Sequence, residues 1–353
     1  MRINPHEFHY GVIGAGSFGT AVSNILAENG KVLLFTRQQS VFEDIKRLRT
    51  NRNQTMHDNV EPITDIAQFC EQCRLIFPVV PSSGFRILMK QFAPYLQPHH
   101  ILIHGTKGFN LHTPESDDLP VNQPVPREYI HTMTEIILQE TVVLRVGCIS
   151  GPNLAKEIAQ GQPAATVIAS RFAEVIEQGR EALKSPRFKV YGSYDVTGVE
   201  CAGVLKNIMA IASGILNGLG LGENAKAMLI SRGLGEMIKI GKALGADSSS
   251  FFGIAGIGDL VATCSSNLSR NFTVGYRLAS GENLADILAT MSEVAEGINT
   301  VKLAKGVSLY YNLETPIVEA LYQTLYNNQS IEKSLNYLMN YAFDKDADFL
   351  SEK

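Results

Sequence analysis

Two groups of residues in this sequence carry chemistry in their types and spacing. The first is Gly14-Ala15-Gly16-Ser17-Phe18-Gly19, a G-x-G-x-x-G run between the apolar stretch Tyr10-Gly11-Val12-Ile13 and the helical stretch Thr20 to Ala27. Strand, tight turn and helix in that order let backbone N–H groups and a helix N-terminus close on a pyrophosphate, so the segment reads as a dinucleotide-binding turn. The second is Lys206 with Asn207, set in the middle of Val199 to Ala212, a stretch that is apolar on nearly every helical face. A buried ammonium is costly unless it is paired or gives up its proton. Beside a nicotinamide such a lysine can hand a proton to a carbonyl oxygen while hydride attacks the carbon. The alternative is a lysine at a helix edge that extends its amine to solvent.

Further polar groups have the same double reading. Ala255-Gly256-Ile257-Gly258-Asp259 places two glycines before a carboxylate that can hold an ammonium, with Thr263 one helical turn on and on the same face; Asp259 as a helix N-cap is compatible with that role. Ser265-Ser266-Asn267-Leu268-Ser269-Arg270-Asn271 offers hydroxyls, amides and a guanidinium, either as an anion site or as a solvated loop. Gly105-Thr106-Lys107-Gly108 and Ser150-Gly151-Pro152-Asn153 each follow an expected strand and are either site loops or plain turns. Glu293-Val294-Ala295-Glu296-Gly297 carries no intrinsic signal.

The cofactor is read from the end of the second expected strand. An Asp or Glu there would accept from the ribose 2′-hydroxyl of NAD, but the chain has Thr36-Arg37-Gln38 after Lys31-Val32-Leu33-Leu34-Phe35. A hydroxyl and a guanidinium can bind a 2′-phosphate, which favours NADP(H), with NAD(H) open. Arg37 stacking on adenine, or lying in solvent, is the competing reading.

These groups must be positioned by two kinds of structure. Short apolar runs alternate with helical patterns through the first half: Leu75 to Val80, a helix over 82–92, His100 to Ile103, Arg145 to Ile149, Ala165 to Ala169 and Phe188 to Tyr191. That alternation predicts a Rossmann-like α/β domain with a parallel sheet, whose strand C-termini face the ligand. Past about Gly192 the strand-like runs stop, and helical spacing takes over in 198–218, 225–244 and 317–326. The expected domains are therefore 1–192, an all-α domain over 193–345, and a tail over 346–353. The polar, proline-containing stretch between Asn110 and Arg127 is expected to be a surface insertion.

Composition narrows the classes. A chain of 353 residues with 45% hydrophobic residues can bury two cores, and a net charge of −4 without a long basic run argues against nucleic acid as a partner. Cys70, Cys73, Cys148, Cys201 and Cys264 are odd in number and scattered, which suits a reducing compartment; Cys70-Glu71-Gln72-Cys73 has no second pair at zinc spacing and reads as an inert helix end. Neither a secretory signal nor an apolar run near the length of a membrane span is visible, so a soluble cytoplasmic protein without a metal is expected.

Taken in order, the segments G-A-G-S-F-G-T-A at 14–21, T-K-G at 106–108, S-G-P-N-L-A-K-E at 150–157, V-L-K-N around Lys206, A-G-I-G-D-L at 255–260, S-R-N at 269–271 and V-A-E-G at 294–297 resemble the bacterial-type NAD(P)-dependent sn-glycerol-3-phosphate dehydrogenases over nearly the whole chain. The resemblance implies reversible reduction of dihydroxyacetone phosphate to sn-glycerol 3-phosphate, the backbone of membrane phospholipids, by a homodimer. It implies Lys206 as proton donor, Asp259 orienting it, and Lys107 against the substrate. On the substrate side it places Gly151, Asn153, Thr263, Ser269, Arg270 and Asn271. Gly14, Gly16, Ser17, Phe18, Gly19, Arg37, Lys107, Ala155, Arg270, Val294 and Glu296 match cofactor positions. Two departures stand out: the 110–130 stretch is longer than usual, and Asn153 stands where bacterial members often carry Thr.

Overall fold

The computed structural model describes residues 9–112, 122–291, 294–342 and Asp346. They form two units, one running to Lys107 and resuming over Thr132–Val196, the other made of Gly108–His131 and the residues from Thr197 onward. The division falls at Val196 rather than Gly192. It also assigns Gly108–His131 to the second unit, so the first is not the continuous 1–192 expected from sequence.

The first unit is built on an eight-stranded sheet: β1 (His9–Ile13), β2 (Val32–Phe35), β3 (Val60–Ile63), β4 (Cys73–Pro78), β5 (Ile101–His104), β6 (Arg145–Ser150), β7 (Ala164–Ser170) and β8 (Phe188–Ser193). Their order across the sheet is β8-β7-β6-β5-β4-β1-β2-β3. Successive side chains of the central strands go to opposite cores. Val12, Leu34, Phe77, Ile101 and Ile103 join one buried cluster, while Ile13, Leu33, Phe35, Ile76 and Leu102 join the other. Both faces are covered, which is why these strands read as continuous apolar runs and not as alternating ones. The strand over 60–63, with Glu61 and Pro62 at its middle, has no such run and was not anticipated.

One expectation about the sheet is corrected. β6 pairs antiparallel with β7, so β7 and the parallel β8 oppose the other six strands. The link between them holds only a helix of 5 residues, Ala155–Ala159. At about 1.5 Å per residue that helix is about 7.5 Å long, too short to lie along the sheet as a crossover helix does, and the link returns the chain antiparallel instead. Cys70 lies in the last turn of the Ile66–Gln72 helix and Cys73 opens β4; both thiols are buried, and burial pushes Cys70 up to about 12.

The second unit packs around a helix, Val196–Gly218, whose Cys201, Ala202, Leu205, Ile208, Met209 and Ile211 lie in one core with residues of Glu223–Ala243, Gly297–Tyr311 and Pro316–Tyr326. By length and composition this helix could cross a bilayer, where the sequence shows no unbroken apolar run of that length; 94% of its most apolar window is buried. Glycines allow its close approach to the helix Arg270–Ala279: a Cβ on Gly214 would lie 2.0 Å from the Phe272 carbonyl oxygen, and one on Gly275 would lie 1.9 Å from that of Ile211.

Residues 113–121 of the expected insertion, Glu293, and the expected tail apart from Asp346 fall outside the described residues. The flanks of the insertion are not superficial. Leu111, Val125 and Ile130 belong to the core of the second unit, and the Val125 N–H donates to the Gly306 carbonyl at 3.0 Å.

Candidate active site

In the first unit the loops that follow β1, β2, β4, β5 and β6 gather at one edge of the sheet, as parallel pairing requires. Gly14 has φ +115°, and its N–H donates to the Phe35 carbonyl at 3.1 Å. A Cβ on Gly19 would lie 1.9 Å from the Gly14 carbonyl oxygen, so no larger residue permits this entry into the helix α1 (Ser17–Ala27). Gly16 is different. It stands at the N-cap without a side-chain cap bond, and a Cβ there would meet nothing within 4 Å. Turn, open space and helix N-terminus together fit the diphosphate of a dinucleotide. Phe18 packs on Gly105, whose N–H donates to the Pro78 carbonyl at 2.9 Å.

At the end of β2 the roles of Thr36 and Arg37 separate. The Thr36 hydroxyl is buried and accepts from the Gln38 N–H at 3.2 Å, so it closes its own turn instead of facing outward with Arg37, which is exposed. Lys107, past β5, donates from Nζ to the Gly151 carbonyl at 3.4 Å. In the same loop Asn153 Nδ2 donates to Thr166 Oγ1 at 2.8 Å, and Thr166 donates to the Ser150 carbonyl at 3.1 Å. The Ser150 hydroxyl and Asn153 Oδ1 are buried with no hydrogen-bond partner among the described residues. Ala155 opens α2 (Ala155–Ala159), a helix that packs on α1.

The second unit holds the titratable cluster. Lys206 on α3 (Val196–Gly218) does not reach solvent: its side chain is 7% exposed and that of Asp259 is 3% exposed, with Nζ 2.8 Å from Asp259 Oδ1. Thr263 bridges them, accepting from Lys206 Nζ and donating to Asp259 Oδ1 at 3.1 Å. Asp259 is not an N-cap. It is the first residue of α4 (Asp259–Cys264), which continues a π-helical turn over Ile254–Gly258. Gly256 makes that turn fit, since a Cβ would lie 2.1 Å from the Phe251 carbonyl oxygen, whereas Gly258 has room. Ser213, two turns along α3 from Lys206, donates to the Cys264 carbonyl at 2.7 Å and fixes the register of the two helices. Burial raises the Cys264 thiol to about 12.

The polar loop 265–271 is sorted by its structure. Ser269 caps α5 (Arg270–Ala279) through the Phe272 N–H at 3.3 Å; Arg270 donates to the Val294 carbonyl at 3.0 Å; and Asn271 Oδ1 accepts from the Gly297 N–H at 2.9 Å. So 269–271 and 294–297, unrelated by sequence pattern, form one assembly. Gly297 is its keystone: a Cβ would lie 2.7 Å from Asn271 Oδ1 and 2.8 Å from the Asn207 carbonyl oxygen. That is the signal the 294–297 segment lacked in one dimension. Glu296 precedes the helix Gly297–Tyr311 and its carbonyl accepts from Thr300 Oγ1 at 2.8 Å.

A dinucleotide turn on a Rossmann-like sheet, with a buried lysine–carboxylate pair in a helical unit, defines a two-unit nicotinamide-dependent dehydrogenase. Comparison with known proteins narrows the class. The chain belongs to the NAD-dependent glycerol-3-phosphate dehydrogenase family, whose N-terminal profile matches residues 9–175 and whose C-terminal profile matches residues 195–336. Glycerol-3-phosphate dehydrogenase [NAD(P)+] of Pseudomonas aeruginosa (strain LESB58) is 38% identical over 350 residues, covering 96% of each chain. That of Teredinibacter turnerae is 37% identical over 342 residues, again covering 96% of each. The crystal structure of glycerol-3-phosphate dehydrogenase from Coxiella burnetii superposes with a TM-score of 0.85 at 29% identity, over 96% of this chain and 100% of that one.

Proposed function

We propose that this chain reduces dihydroxyacetone phosphate to sn-glycerol 3-phosphate, reversibly, with NADPH or NADH. The observation that carries the reading is the buried Lys206–Asp259–Thr263 cluster in a member of this family. Gly14, Gly16, Ser17, Phe18 and Gly19 hold the cofactor diphosphate, with Arg37 at the adenosine end and Ala155, Arg270, Val294 and Glu296 as further cofactor positions. A nicotinamide, when bound, would supply the hydride that reduces the substrate carbonyl at C2. Lys206 then gives one ammonium proton from Nζ to the C2 oxygen, which becomes the hydroxyl, and the amine left beside Asp259 is reprotonated from solvent. Asp259 and Thr263 hold Nζ in one place, so the proton is delivered without reorganisation; such positioned transfer is worth about 10²–10⁴ in rate. Lys107, Gly151, Asn153, Ser269, Arg270 and Asn271 bind the substrate, and binding of its phosphate, away from the reacting carbon, orients the carbonyl.

The finer readings rest on the same assignment. Arg37 with no carboxylate beside it favours NADPH. Five buried free cysteines suit the cytoplasm, and the product suits phospholipid synthesis; a homodimer is the expected assembly. The test is the initial rate with dihydroxyacetone phosphate against 2-keto and 3-keto acids, with each reduced cofactor, for wild type and Lys206→Ala. Dihydroxyacetone phosphate is expected to be preferred, and the variant to lose about 10²-fold or more in kcat. Preference for a keto acid, or a variant within a few-fold of wild type, refutes the proposal.

A further inference from the structure

The diphosphate turn is held by a residue that no sequence motif marks. Asn51 is 8% exposed and ends a two-residue strand, Thr50–Asn51, paired antiparallel with Gln54–Thr55. Its Nδ2 donates to the Ala15 carbonyl at 2.9 Å and to Thr20 Oγ1 at 2.7 Å. Thr20 in turn donates to the Gly16 carbonyl at 2.9 Å. One amide therefore fixes the carbonyls of two consecutive residues of the turn, using both of its protons. In a trans peptide the N–H points opposite to the C=O. Holding the carbonyls of Ala15 and Gly16 therefore sets the directions of the Gly16 and Ser17 N–H groups.

The small hairpin that carries Asn51 is itself anchored to α1. Asn24 Nδ2 donates to the Thr55 carbonyl at 2.9 Å and Asn24 Oδ1 accepts from the His57 N–H at 3.0 Å. Arg52 and Asn53, at its tip, have φ of 51° and 59°, the left-handed pair that a two-residue hairpin loop needs. The hairpin thus rides on the helix whose N-terminus it braces.

We propose that Asn51 is a positioning residue for the cofactor diphosphate: through Ala15 and Thr20 it pre-sets the amides of the Gly14–Gly19 turn. The proposal rests on the reading of that turn as the cofactor cradle. The test is Asn51→Ala, with Thr20→Val as a second, shape-conserving variant. Measurements are fluorescence titration of NADPH and NADH, hydrogen exchange of residues 14–20 without cofactor, and kcat at saturating cofactor. Asn51→Ala is expected to weaken binding of whichever cofactor binds tighter about tenfold and to speed exchange in the turn, with kcat held within about twofold; Thr20→Val, which leaves the Ala15 bond, weakens binding about threefold. Wild-type affinity in both variants, whatever the exchange, overturns the assignment, as does a fall in saturated kcat as large as the fall in affinity. Wild-type protein that binds neither cofactor overturns the proposed function and this assignment with it, so the two failures are told apart.

Discussion

Removing one partner of the Lys206–Asp259 pair should damage stability far more than removing both. Nζ and Oδ1 are 2.8 Å apart, with side chains 7% and 3% exposed, so neither charge can turn to water when its partner goes. Asp259→Asn leaves a buried ammonium and Lys206→Met leaves a buried carboxylate, and each should cost about 3–5 kcal/mol. At about 2.1 cal/mol/K of unfolding entropy per residue, a chain of 353 residues shifts by about 1.4 °C per kcal/mol, so that is a fall in Tm of about 4–7 °C. The double variant leaves no buried charge, so its loss should be smaller than that of either single variant, which puts it below the sum of the singles by about 3 kcal/mol or more. With no Trp in the chain, far-UV circular dichroism in urea is the appropriate probe, with kcat measured alongside. Single losses within about 0.5 kcal/mol of zero that simply add would show that the pair is neither buried nor coupled, and would remove the physical basis for a positioned proton donor.

Arg37→Asp should lower the preference for NADPH over NADH by about tenfold or more, since a charge-assisted hydrogen bond is worth about 1.5–3 kcal/mol; the ratio of kcat/KM values measures it, and an unchanged ratio means that Arg37 does not read the 2′-phosphate. Cys264 gives a pH dependence of definite sign. Burial holds its thiol up at about 12 against 9.0 in the unfolded chain, so the folded state keeps a proton that the unfolded state releases, and stability falls as pH rises through that window. From pH 9 to 10.5 the loss is about 2 kcal/mol. Urea titrations of wild type and Cys264→Ala should differ in slope against pH by that amount, and parallel slopes would show that the thiol titrates normally.

The local signals in the sequence were strong where physics is local. G-x-G-x-x-G between a strand and a helix needs no distant partner to be read, because Gly14 and Gly19 answer to the geometry of one turn. The central strands were legible because a sheet covered on both faces makes every residue apolar. Lys206 stood out because an ammonium amid apolar neighbours is costly anywhere. Those same local rules missed the strand at 60–63 and the reversal at β7, which depend on the neighbouring strands each pairs with.

What only the tertiary structure decided is how distant segments meet. Asp259 reads in sequence as a helix cap and as a partner for Lys206 at once; the structure keeps the second, since Asp259 lies inside α4 and is buried against Lys206. Gly297 has no pattern of its own, and its necessity lies in Asn271 and Asn207, which approach it from two other helices. Asn51 carries no signal in sequence and becomes a brace because its amide reaches across to Ala15 and Thr20. Composition and spacing specify which residues are unusual; hydrogen bonds and excluded volume, which act through space and not along the chain, decide what each is for.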